Sequence, residues 1–235
     1  MPSRTFARAA SPLALLAAVL AIVLAGCGSS GNGIASKSAT EILAASKAAA
    51  DSASSVHVTG TLSSAGSPIT IDIALAAGTG GRGQLSENGL AFELIVVKDT
   101  VYIKGSPAFY SHFGGGAAAQ LLDGKWLKAP ASSGQLATLA SLTNLSKILG
   151  QTLVSAGTLV KGASTTVNGQ QVIELTDTAR NGSLYVATTG QPYPVQIVKR
   201  SFETGKVTFS AWNQPVTLAA PANAIDITQL QHEGR

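Results

Sequence analysis

The chain has 235 residues, 45% hydrophobic and only 12% charged, with a formal net charge of +4. The charged share is about half the ~25% usual for globular proteins, which argues against charge-driven disorder and leaves one domain of ordinary size as the expectation. Aromatics at 5%, a single cysteine and three histidines exclude an aromatic-rich core, an intrachain disulfide and a multi-cysteine metal site.

Residues 1–26 have the pattern of a secretion signal: Arg4 and Arg8, then an uncharged run from Leu13 to Leu24. That run falls short of the ~20 apolar residues a membrane-spanning helix needs. Leu24-Ala25-Gly26-Cys27 then resembles the bacterial lipoprotein lipobox. The resemblance implies that Cys27 is acylated, becomes the first mature residue and anchors the protein in the plasma membrane on its extracytoplasmic face. One acyl chain binds only marginally, whereas two or three hold stably. Loss of the signal also removes Arg4 and Arg8, and no clustered Lys/Arg stripe points to nucleic acid. Residues 27–37 (the cysteine and GSSGNGIASK) are expected to be a flexible tether, its ten linker residues spanning roughly 16–19 Å.

A single domain is expected over 38–230, with a tail at 231–235. Ser38 and Glu41 form an S-x-x-E capping box, so a helix is expected over Ser38–Ser54, with Ile42, Ala45, Ala49 and Ala53 on its buried face. Strands follow. Val56, Val58 and Leu62 oppose His57, Thr59 and Thr61; Ile69, Ile71, Ile73 and Leu75 oppose Thr70, Asp72 and Ala74; Leu90, Phe92, Leu94 and Val96 form the next inward row. Asn88-Gly89 and Asp99-Thr100 supply turns in this antiparallel meander. Gly114 to Ala119 has little local preference, and Ser132 to Thr152 is expected to be a second helical region. Its stripe is Leu136, Leu139, Leu142, Leu145, Leu149 and Leu153. A second meander resumes near Leu159, with Asn168-Gly169 as a hairpin. Pro192 and Pro194 mark an edge or a bend at the start of the strand Val195–Arg200. So many strands must curl, close or split. The expected class is α+β: a strongly curved antiparallel sheet wrapped around two or more helices on its concave side.

The ordered pieces resemble the mycobacterial LppX/LprA/LprF/LprG lipoproteins, within the wider LolA-like group of carriers. They are Leu24–Cys27, Ser38–Ser54, Val97–Lys104, Gly124-Lys125-Trp126-Leu127, Gly190–Val195 and Val207–Trp212. The resemblance implies a half-barrel around helices with an apolar cavity for acyl chains. It also implies a role in carrying glycolipids or other complex lipids toward the outer envelope, with an envelope transport protein as a further partner.

Catalytic chemistry finds little support. Gly78-Thr79-Gly80-Gly81-Arg82-Gly83 satisfies G-x-G-x-x-G, but a dinucleotide site needs a helix opening at that loop, and Gln84-Leu85-Ser86 continues as a strand. His57 falls on a polar strand face, His112 in a loop and His232 in the tail; Asp72, Glu93 and Glu174 fall on solvated faces. No enzyme activity, cofactor or metal is expected. The expected function is an anchored lipid carrier whose ligand is lined by Ile71, Ile73, Phe92, Leu94, Leu139 and Leu142, with Trp126 at a possible mouth and Trp212 in the core. The alternative is a lipid-anchored interaction or scaffold module with a filled core.

Overall fold

The computed structural model describes residues 31–64, 66–133, 136–152, 157–201 and 203–228. Residues 1–26, Cys27, Leu153 and the tail 231–235 lie outside them. Helix α1 (Ala39–Asp51) starts at the capping box. The Glu41 amide donates to Ser38 Oγ at 3.4 Å, and the Ser38 amide donates to Glu41 Oε2 at 2.9 Å. Two orphan donors of the first turn are thereby satisfied. The Ser38 hydroxyl, bonded to the Glu41 carboxyl, holds that carboxyl below the usual carboxylate range.

Alternating apolar residues then build β1 (Ser55–Ser64), β2 (Ser67–Ala76), β3 (Gly80–Glu87), β4 (Leu90–Val97) and β5 (Thr100–Gly105). Asn88 and Gly89, at φ 51° and 80°, make the β3–β4 turn, a conformation those two residue types accept. Of the glycine motif, Gly80 to Gly83 lies inside β3. A Cβ at Gly81 would come within 3.1 Å of Thr143 Cβ, so the absent side chain is where the turn at residues 142–144 lies against the sheet.

Two expectations about helices are corrected. Gly114–Ala119 and His112 lie in helix α2 (Pro107–Leu122), not in a loop. The Ser106 hydroxyl accepts from the Phe109 amide at 3.2 Å, and Pro107 stands at the first helical position, so the start is well specified despite the glycines. Gly115, at φ 75° and ψ 179°, breaks the helical conformation midway. The leucine stripe is not one helix but two, α3 (Leu136–Ser141) and α4 (Leu145–Thr152), separated from α2 by β6 (Leu127–Pro130). Asn144 causes the break: its Oδ1 accepts from the Lys147 amide at 3.0 Å and caps a new helix.

The second meander is β7 (Leu159–Val167), β8 (Gln170–Asp177), β9 (Gly182–Ala187), β10 (Pro194–Ser201) and β11 (Glu203–Ser210), and β12 (Ile225–Asp226) follows. The strands form one sheet in the order β12-β6-β5-β4-β3-β2-β1-β11-β10-β9-β8-β7, antiparallel except for the β12–β6 pair. The expected α+β class, a curved antiparallel sheet with helices on its inner face, is the one found. Pro194 begins an interior strand, so the edge alternative fails, while the register shift between Pro194 and Gln196 supplies the bend.

The two meanders meet where β1 pairs with β11, residues some 150 positions apart in the chain. Gly205 sits on this seam opposite Leu62, at φ 128°, and a Cβ there would lie 2.1 Å from the Thr61 carbonyl oxygen. Helix α1 spans the same junction from inside. Its Ala50 belongs to the cluster of Val56, Ile73, Leu75, Leu94 and Phe209, and its Ile42 belongs to the cluster of Ile34, Ile173, Leu175 and Val186. Full burial of Ile42 alone stabilises by about 2 kcal/mol.

Residues 32–37, expected within a flexible tether, are instead ordered against the domain. From Asn32 onward the chain is fixed to the domain: the Asn32 amide donates to Thr188 O at 2.8 Å, and its Nδ2 donates to Ala187 O at 3.1 Å and Gly190 O at 3.0 Å. Ile34 is buried, and Lys161 Nζ donates to the carbonyls of Ala35 and Lys37.

Candidate functional site: the concave face and its open end

Strand direction gives the sheet two ends. One carries the β2–β3 and β4–β5 turns and the 188–193 loop; the other carries the β1–β2 and β3–β4 turns and the start of α2. Along each strand the concave residues change from buried to half-buried in the same direction. In β2, Leu75 and Ile73 are buried while Ile71 and Ile69 are half-buried. In β4, Val96 and Leu94 are buried while Phe92 and Leu90 are half-buried. Val56 and Val58 against Leu62 in β1, and Phe209 against Val207 in β11, repeat the pattern. The cause is the cover. Helices α1, α3 and α4 and the turn between the last two place Ala50, Leu136, Leu139, Leu142, Leu145 and Ile148 on the core cluster. Beyond their reach the aliphatic floor is only partly shielded.

The six expected lining residues therefore share one apolar cluster but not one environment. Ile73 and Leu94 are buried core, at 3% and 0% exposure. Ile71, Phe92, Leu139 and Leu142 are partly buried and packed against that core. Helix α2 meets the open end. Phe109 packs on Phe92 with ring centroids 5.3 Å apart, and the buried Tyr110 hydroxyl accepts from the Gly105 amide at 2.9 Å and donates to Lys125 O at 3.2 Å. Burial pushes the Tyr110 hydroxyl above its usual pKa, against the smaller lowering effect of the Gly105 bond.

Trp126 is not on this face. The β5–β6 register carries it to the convex side, where Lys104 Nζ lies 5.1 Å from its ring centroid. There it joins His57, Asp72, Arg82, Gln84 and Glu93 around a cleft of about 410 Å³. His57 Nε2 lies 2.7 Å from Asp72 Oδ1, and Lys104 Nζ lies 2.6 Å from Glu93 Oε1. The His57–Asp72 contact and the Lys104–Glu93 ion pair thus line the outer face beside Ala74 and Ile95, so the cleft mixes polar and apolar groups. Trp212 stacks on Tyr193 at 4.6 Å and packs against the core, in the role expected for it. Glu174 accepts from the Tyr185 hydroxyl at 3.2 Å. Among the described residues the fully buried Ser46 hydroxyl on α1 has no hydrogen-bond partner.

A half-barrel with helices inside it and a partly shielded floor at one end can be compared with solved structures. LprF from Mycobacterium bovis superposes with a TM-score of 0.56 at 18% identity, over 79% of this chain and 97% of that one. The Mycobacterium tuberculosis lipoprotein LppX superposes at 0.50 and 17% identity, over 77% of this chain and 100% of that one. The chain has the fold of LprF and LppX. No protein-family model matches it, and no curated protein does. The fold is thus the one that the sequence resemblance implied.

Proposed function

We propose that this protein is a lipid-anchored carrier that holds a lipid or glycolipid on its concave face and carries or presents it across the cell envelope. The observation that supports this reading best is the gradient of burial: an aliphatic floor that is closed at one end of the strands and only half-shielded at the other. An acyl chain lying along Ile71, Phe92, Leu139 and Leu142 replaces contacts it leaves in the bilayer, at ~0.8 kcal/mol per methylene in either place. Exchange is then close to neutral, which suits passive handover and requires no nucleotide.

Acylation of Cys27 supplies the anchor in this reading, and five residue steps separate it from Asn32. At ~3.5 Å per residue the leash reaches at most about 17 Å. The domain is therefore held close to its membrane in this reading. An envelope transport protein would receive or supply the ligand.

Solvent extraction and native mass spectrometry of a Cys27→Ala form test the reading. A co-purified lipid of defined mass is expected; repeated recovery of the bare chain contradicts it. The convex cleft around Arg82, Glu93 and Trp126, which mixes polar and apolar groups, favours a second reading, an anchored interaction module. Crosslinking of that cleft to an envelope protein, in a chain that carries no lipid, is the outcome that selects it.

A further inference from the structure

Helix α2 is the least covered apolar element of the described chain. Its sixteen residues contain no Asp, Glu, Lys or Arg. Phe113 and Leu121 are 68% and 66% exposed, and Ala108, Gly114, Gly116 and Ala117 are exposed as well. The first turn is seated through Phe109 and Tyr110, and Ala118, Ala119 and Leu122 are half-buried further along; Phe113 touches Phe109 at 4.9 Å and His112 at 4.9 Å and otherwise faces outward. A helix with apolar residues on every side is normally found in a core or in lipid.

We propose that α2 is a membrane-docking element that inserts Phe113 and Leu121 into the interface of a lipid bilayer. Three observations choose a bilayer over a protein groove or a second copy. A helix made for a groove carries one apolar stripe and a polar remainder; α2 has no charged remainder, and Gly115 turns its second half away from the line of the first. A basic group stands at its base: Lys125 is exposed and its carbonyl accepts from the Tyr110 hydroxyl, with Asp123 as the one acid in the connection, while Lys104 and Lys128 on the adjoining strands are paired with Glu93 and Asp226. An exposed lysine of this kind complements anionic headgroups. Finally, Phe109 sits on Phe92, so a bilayer that receives α2 also meets the half-shielded floor. For its purpose, though not for its evidence, this inference rests on the lipid-carrier reading.

The test uses Gly31–Arg235, a compact unit that contains every described strand and helix. The probe is flotation with vesicles of phosphatidylglycerol and phosphatidylcholine in equal parts. The unmodified domain is expected to float, and F113S/L121S to lose about tenfold or more in binding with an unchanged circular dichroism spectrum. K125E is expected to weaken binding to these vesicles and not to phosphatidylcholine alone. Should the double variant misfold, A117K, at an exposed position, decides in its place. The proposal is overturned if the domain does not float, if the substituted forms float equally well, or if it is a dimer that F113S/L121S dissociates. Native mass spectrometry on the same samples separates the two readings. Flotation without any bound lipid removes the carrier and keeps the docking helix; bound lipid without flotation does the reverse.

Discussion

The rings of Phe92 and Phe109 lie 5.3 Å apart at an interplanar angle of 47°, and this contact seats helix α2 on the concave face. Phe109 also meets Tyr110 edge-on at 5.7 Å, so one half-buried ring links a strand, a helix and the hydrogen bonds of the Tyr110 hydroxyl. Phe109→Ala is expected to cost about 2 kcal/mol, because lost ring contacts add to lost burial. Amide exchange over residues 107–122 is the measurement; it rises sharply, while exchange in β1 and β11 changes little.

The concave residues divide by environment, and substitutions should divide with them. Leu94→Ala removes a fully buried side chain and is expected to cost about 3 kcal/mol in urea unfolding. Ile71→Ala and Phe92→Ala, at half-buried positions, should cost about 1–2 kcal/mol and yet lower the lipid recovered with the protein far more than Leu94→Ala does. Equal lipid recovery in all three separates the floor from any ligand.

Asn32 fastens the amino-terminal segment to the loop after β9. Asn32→Ala leaves the Ala187 and Gly190 carbonyls without that partner and is expected to cost about 1–2 kcal/mol. Limited proteolysis should then cut within residues 31–37.

Gly205→Ala should be among the most damaging single changes. The residue is at φ 128°, and the added carbon meets the Thr61 backbone rather than a side chain that could swing aside. The seam between β1 and β11 must open to admit it. A loss of about 2 kcal/mol or more is expected in thermal unfolding.

The capping box makes stability pH-dependent in a defined direction. Hydrogen bonds from Ser38 lower the Glu41 pKa, so the folded state favours the carboxylate. That contribution is complete above the ordinary carboxylate pKa and disappears as pH falls through the lowered one. Ser38→Ala should flatten this part of the pH–stability curve and lower the melting temperature at neutral pH.

Local signals were legible in the sequence where one or two residues dictate the backbone. Asn88-Gly89 and Asn168-Gly169 marked turns, Ser38 and Glu41 marked α1, and alternation marked which side of β2 and β4 faces inward. Helix α2 was missed because Gly114 to Gly116 masked it, although Ser106-Pro107 is a helix-start signal that could have revealed it. The leucine spacing ran smoothly through Asn144, whose capping role depends on the chain leaving the helix there. Strands β6 and β12 are too short for periodicity to register, and without β6 the side taken by Trp126 had no reference. The β1–β11 seam joins distant segments, so only the folded chain shows that Gly205 lies on it.

The central claim is that the concave face, and not the convex one, takes the lipid. Labelling with a photoreactive diazirine fatty acid, followed by peptide mass spectrometry, tests it directly. Modification concentrated on the β2 and β4 peptides at Ile71 and Phe92, and on the α3 peptide at Leu139, is the predicted result. Labelling confined to Arg82, Gln84 and Trp126, or none above background, contradicts it.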